Sequence, residues 1–188
     1  AYQARVKKID NLIVRGSIND SFANFGENKK NIHLVLGLIK GKRMDLAIEK
    51  SVEFGVKSIH PVLFERSIKK TLNFGRLSKV IASSAKQTGR SIFPELKKIL
   101  RFPDWIKKYE NNNVFACHFS GKSKIKNIVN FKTDDIMIIV GPEGDFSASE
   151  IALLNASKVP LVNLGPRRLR TESACISSIL TTSDVIEG

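Results

Sequence analysis

An α/β fold with a largely parallel sheet is what this sequence predicts, and three observations predict it. Near-continuous apolar runs of strand length, such as Ile32–Ile39 and Ile136–Val140, are the pattern of strands covered on both faces. Between such runs, hydrophobic residues recur at helical spacing, as Met44, Ile48 and Val52 do, which marks amphipathic helices. The two kinds of segment alternate along the chain, as successive βα units require.

Taken in order, Ala1–Asp20 reads as strands: Tyr2, Ala4 and Val6 alternate with polar residues, and Leu12-Ile13-Val14 follows an Asp10-Asn11 turn. Twenty residues of strand cannot bury a face alone, so they either pack on the main domain or belong to a small β domain. The polar stretch Asn24–Asn31, NFGENKKN, reads as a linker. Ile32–Ile39 is the first buried strand, and Gly55 stops the helix that follows it. Ser58–Leu63 is a short strand, and Leu77, Ile81 and Ala85 give a second helix before Gly89. Leu96–Leu100, Val114–Cys117 and Ile136–Val140 are further strands, with Trp105–Tyr109 helical between the first two. No internal repeat or low-complexity tract is present.

At 188 residues and 42% hydrophobic content, the chain allows one ordinary domain with a genuine core, or one domain and a small appendage. There is no apolar stretch of membrane-spanning length and no signal-peptide pattern at the start. Cys117 and Cys175 form no CxxC pair, and His33, His60 and His118 have no partners at metal spacing. The expectation is a reducing, cytoplasmic setting, with no metal and no cysteine nucleophile. The net charge of +13 is unevenly placed. Residues 1–101 hold 21 Lys/Arg against 8 Asp/Glu, whereas residues 102–188 hold 10 of each. Solvated helix faces would account for this, and so would a polyanion-binding surface on one half, for which RNA is a better fit than a membrane.

Two glycine turns carry the chemistry. Ile136–Val140 runs into Gly141-Pro142-Glu143-Gly144-Asp145-Phe146-Ser147, where Ser147 and Glu150 form a capping box for the next helix. In an open α/β sheet ligands sit beyond the carboxyl ends of the strands, so such a turn is either a ligand seat or merely a tight bend. The missing GK[ST] excludes a P-loop, and the missing GxGxxG excludes a dinucleotide fingerprint. A second strand, Leu161–Leu164, enters Gly165-Pro166-Arg167-Arg168-Leu169-Arg170-Thr171-Glu172 before a helix with Cys175, Ile176, Ile179 and Leu180 on one face. Three arginines there face the positive end of a helix dipole, an unfavourable position that suggests a task.

GPEGDFSASEI followed after a short gap by LGPRRLRTESA closely resembles the ribosomal RNA uridine N3-methyltransferase family of the SPOUT superfamily. Upstream, KGKRMDLAIEKSVEFGVKSIHPVLFERS is similar to the family's first helix and strand, and AKQTGRSIFPEL to its Gln/Arg segment before a proline, so the likeness spans about residues 32–186. Asp145 replaces the family's usual third glycine, Arg168 an aliphatic residue and Ser173 a threonine. The resemblance implies a trefoil-knotted α/β domain over residues 32–188, a linker over 25–31, and, in residues 1–24, the last part of a PUA-like RNA-binding β domain, with residue 1 not the true start. It implies S-adenosylmethionine bound by Val140, Gly141, Pro142, Glu143, Gly144, Leu164, Gly165, Arg168, Leu169 and Thr171. It further implies a homodimer with the site near the subunit interface, and a uridine of 16S ribosomal RNA in the small subunit as substrate.

Methyl transfer from a sulfonium needs alignment rather than a metal or a covalent intermediate. Uracil N3 lies on the pairing edge, so the base must be unpaired or flipped out, and it must lose a proton. A guanidinium keeps its protons, so Arg170 would stabilise the developing anion. Glu172 would be the base, or else would pair with an arginine or favour the helix start. Lys40, Lys42, Arg43, Arg66, Arg90 and Arg167 are the expected RNA contacts. Methylation of ribose or another base by a related enzyme, and a non-catalytic rRNA-binding assembly factor, are the competing readings.

Overall fold

The computed structural model describes residues 1–109, 112–130 and 132–188. β1 (Tyr2–Asp10) and β2 (Ile13–Ser21) form an antiparallel hairpin. Then follow β3 (Asn31–Gly37), α1 (Lys42–Glu53), β4 (Val56–Leu63), α2 (Phe74–Gln87), β5 (Glu95–Leu96), β6 (Leu100–Arg101) and α3 (Phe102–Tyr109). The chain continues with β7 (Asn113–Cys117), α4 (Ile125–Ile128), β8 (Asp135–Val140), α5 (Ala148–Ala156), β9 (Leu161–Val162) and α6 (Thr171–Glu187). The main sheet has the order β5-β4-β3-β8-β7-β9, with β6 also on β4, and every pairing in it is parallel.

The apolar runs serve two cores at once, because successive side chains of a strand point to opposite faces. On β3 and β8, Ile32, Leu34, Leu36, Ile136, Ile138 and Val140 join the core beneath α1, α2 and α6. Val35, Met137 and Ile139 join the other core, with Phe102 and Trp105 of α3 and Leu154 of α5. The expected strand Leu96–Leu100 is two short ones instead. The Lys97 amide still donates to Ile59 O, but pairing then breaks opposite His60 and Pro61, and a proline nitrogen has no hydrogen to give a ladder. β9 is shorter than expected, and α4 carries no signal that periodicity could read in one turn.

The hairpin stands away from both cores, with Ile9 72% and Leu12 97% exposed. The residues expected as a linker are fastened to the body. Asn28 Nδ2 donates to the carbonyls of Phe54 and Gly55, and the amide of Lys29 donates to Glu187 Oε1. Arg90 lies behind them and corrects an expectation: it is no surface RNA contact. Its side chain is 2% exposed, ion-paired to Glu27, and donates to Val52 O at 3.1 Å and Val56 O at 2.7 Å. A guanidinium with five fixed donors is well suited to close a helix end and a strand start together.

Candidate methyl-donor and RNA site

The carboxyl ends of β7, β8 and β9 frame a cleft of about 370 Å³. One wall is Val140, Gly141, Pro142, Glu143 and Asp145; the opposite wall is Asn163, Leu164, Gly165, Arg167, Arg168, Leu169, Arg170 and Thr171. Its base is Cys117, His118 and Phe119, and Arg43 stands at the rim. The structure therefore gathers both glycine turns at one place, where an open parallel sheet offers a ligand site.

Local chemistry fixes each wall. The Ser147–Glu150 capping box is complete, so α5 starts where the sequence says it should. Glu150 Oε1 also accepts from the amide of Glu65 at 2.7 Å, which ties the first loop to the segment after β4. Thr171 Oγ1 donates to Gly141 O at 3.1 Å and joins the two walls directly. Asn163 Oδ1 accepts from the amide of Gly165, and its Nδ2 donates to Phe119 O at 2.6 Å, so the second loop is tied to the base.

β9 is held on both sides by one loop. Ala116–Cys117 pairs with it on one side, and Ser123 bridges Val162 on the other. A Cβ at Gly121 would lie 2.5 Å from Val162 C and 2.7 Å from Asn163 N, so only glycine allows the loop this close.

Asp145 takes φ 63°, the left-handed region where glycine is easiest and Asp is tolerated. Its Oδ1 accepts from the amide of Phe146 at 2.9 Å, and its Oδ2 accepts from Arg168 at 2.6 Å. Two of the three departures from the family pattern, Asp145 and Arg168, are thus partners. Arg43 pairs with Glu143 at 2.9 Å across the rim. Among the described residues the side chains of Arg167 and Arg170 make no hydrogen bond or ion pair, and both line the cleft.

Three site expectations change. Gly144 does not line the cleft; a Cβ there would lie 2.8 Å from Arg66 Cβ and 3.0 Å from Arg66 O, so the glycine serves packing. Arg66 in turn donates to Gly144 O and Phe146 O and braces the loop, although its side chain stays on the surface. Glu172 is buried in the first turn of α6, off the cleft, and pairs with no arginine; its Oε2 has no hydrogen-bond partner. Lys40 and Lys42 are exposed beside Arg43.

His118, Phe119 and Asn163 are cleft residues that sequence reasoning missed. A polar residue at the carboxyl end of the apolar run Val114–Cys117 was the available signal. Burial pushes the Cys117 thiol up to about 12 and that of Cys175 well above its ordinary value, which disfavours the thiolate of each. Among the described residues no cluster of three or more His, Cys, Asp or Glu could hold a metal ion, and no helix is long and apolar enough to cross a membrane.

Ribosomal RNA small subunit methyltransferase E of Buchnera aphidicola is 32% identical over 160 residues, covering 81% of this chain and 63% of that protein. The enzyme of the same name from Rickettsia conorii is 31% identical over 154 residues, covering 80% and 63%. The chain thus spans just under two thirds of these curated relatives. The crystal structure of ribosomal RNA small subunit methyltransferase E from Neisseria gonorrhoeae, bound to S-adenosyl methionine, superposes with a TM-score of 0.87 at 26% identity, covering 98% of this chain and 78% of that one. A Legionella pneumophila structure in complex with the same cofactor gives 0.85 at 27% identity, covering 97% and 78%. The RNA methyltransferase domain model matches residues 26–183, which take in the whole parallel sheet and both walls of the cleft, and the chain belongs to that family.

Proposed function

We propose that this chain transfers a methyl group from S-adenosylmethionine to N3 of a uridine in 16S ribosomal RNA of the small subunit. The observation that carries the reading is the convergence of both glycine turns on one cleft whose 370 Å³ falls within the roughly 300–1,000 Å³ of small-molecule sites. The residues fit the donor: Val140, Leu164 and Leu169 give apolar wall, and Gly141 and Gly165 let a ligand approach the backbone beside it. The donor supplies a methyl group on a positively charged sulfur. Val140, Gly141, Pro142, Glu143, Leu164, Gly165, Arg168, Leu169 and Thr171 would hold it, and Arg167 and Arg170, free of partners among the described residues, would face the RNA.

Removing the N3 proton leaves negative charge spread over O2 and O4 of the base. Arg170 stabilises that charge as it forms, in a cleft where a fixed donor is worth far more than in water. Two finer features belong to the same reading. The grip of residues 116–123 on both sides of β9 supports passage of the C-terminal segment through that loop as a trefoil knot of SPOUT type. The half-exposed Leu180 on α6 supports a homodimer with the cleft near its interface. The hairpin would be the end of a PUA-like RNA-binding domain, and the setting cytoplasmic.

Mass spectrometry of 16S ribosomal RNA from a strain lacking this protein tests the reading, alongside calorimetry with S-adenosylmethionine. Loss of one N3-methyluridine, restored by the gene, is expected. A lost ribose methyl or another methylated base would assign a different position, and absence of donor binding to folded protein would leave a non-catalytic RNA-binding role.

A further inference from the structure

Uracil N3 sits between two carbonyl groups, and both oxygens carry the negative charge left when the N3 proton departs. One flanking donor leaves the second oxygen to water. The cleft holds a second donor whose direction is set and whose hydrogen bond is, among the described residues, unmade: His118. Its Nδ1 accepts from the backbone amide of Ser120 at 3.3 Å and lies 2.7 Å from Ser120 Oγ. With Nδ1 occupied as an acceptor, the proton of the neutral ring rests on Nε2.

Nε2 faces Asp145 Oδ1 at 3.6 Å, longer than a hydrogen bond. Asp145 does not depend on that contact, since the Phe146 amide and Arg168 already serve its two oxygens. Among the described residues the Nε2–H therefore faces a carboxylate and makes no hydrogen bond. The ring is also packed beside Phe146, at 5.9 Å between centroids, so it is held rather than free to rotate away. Glu172, the acidic residue expected to act here, lies off the cleft.

We propose that His118 Nε2–H donates to one carbonyl oxygen of the base being methylated while Arg170 serves the other. The pair thereby selects a base whose reacting nitrogen lies between two carbonyls. Cytosine, with an amino group on one side of N3, would set a donor against a donor. The inference rests on the methyl-transfer reading. In the step, the N3 lone pair forms the bond to carbon, the S–CH3 bond breaks with its electrons going to sulfur, and the N3 proton leaves to solvent water. His118 keeps its own proton throughout.

Single-turnover methylation of unmethylated small subunits by His118→Ala and His118→Gln tests this, with donor affinity measured in parallel. His118→Ala is expected to lower the rate about a hundredfold, the scale for one preorganised donor, with donor affinity and melting temperature near wild type. His118→Gln, which keeps an N–H near the same place, is expected to recover part of the rate. A donor role also leaves the acid limb of the pH–rate profile unchanged in His118→Gln. Loss of that limb would make His118 a base and overturn the proposal, as would a near-normal rate in His118→Ala or a collapse of donor binding. Wild-type protein that binds the donor but methylates no small subunit would instead overturn the underlying reading and this inference with it.

Discussion

Arg170 occupies the N-cap of α6 without capping it through its side chain, which stays exposed, lines the cleft and has no partner among the described residues. A cation at the positive end of a helix dipole is electrostatically disfavoured, and Arg170 is offset by no neighbouring carboxylate, unlike Arg168 beside Asp145. Arg170→Ala should lower single-turnover methylation by roughly a hundredfold or more with little change in donor affinity. Arg170→Lys should recover only part, since a point charge cannot reproduce a planar fork. A near-normal rate in Arg170→Ala would move the role to Arg167. At this scale the sequence showed which loops matter, because glycines and an arginine cluster stand out in a linear string. It could not show pairing. That Asp145 meets Arg168, that Gly144 makes room for Arg66, and that Glu172 turns inward are distances across the fold.

At the scale of elements, the amino ends of the central strands carry a hydrogen-bonded chain that the function does not use. Trp105 Nε1 on α3 donates to His60 Nδ1 at 3.2 Å, and His60 Nε2 lies 2.8 Å from Ser58 Oγ on β4. Ser58 Oγ lies 2.6 Å from His33 Nδ1 on β3, and His33 Nε2 lies 3.0 Å from Asp135 Oδ1 on β8. Because the indole can only donate, every proton has one place: His60 donates to Ser58, Ser58 to His33, and His33 to Asp135. A fully satisfied chain stitches three strands and a helix together and leaves no donor over for chemistry. Protonating His60 would set a second donor against the indole. Burial above all, with Lys97 nearby adding to it, pushes its pKa down to about 4. A depressed histidine pKa stabilises the fold above the ordinary value of 6.5, and that stability drains as pH falls from there toward 4. The full loss is roughly 3 kcal/mol, at about 1.4 kcal/mol per pKa unit. Chemical-denaturation midpoints between pH 7 and 4 should fall accordingly, and His60→Gln should flatten much of that fall; an equal fall in the variant would assign it to carboxylates instead. Strand and helix identities were legible because period and burial set them, whereas this chain joins residues up to 102 positions apart.

The whole molecule divides its labour by charge. The surplus of basic residues lies in the first 101 positions, yet the cleft is built chiefly from the neutral second half. Arg43 connects the two: it stands on the cleft rim, paired with Glu143, while Lys40 and Lys42 beside it are exposed. A positive edge therefore runs from the arginines of the cleft onto the start of α1, the arrangement that would guide a phosphate backbone past the reacting base. Neutralising phosphates releases condensed counterions, so RNA affinity should fall steeply with salt, linearly on logarithmic axes. Lys40→Glu and Lys42→Glu should each weaken RNA binding and reduce the salt slope by about one. Neither should alter donor affinity, because neither side chain lines the cleft. Arg43 is a poorer probe, since its loss would also release Glu143 into the cleft. Filter binding of a 16S fragment over a salt series would decide. An affinity indifferent to salt, or unchanged by both reversals, would make the basic half a solvated surface and place RNA recognition on the hairpin instead.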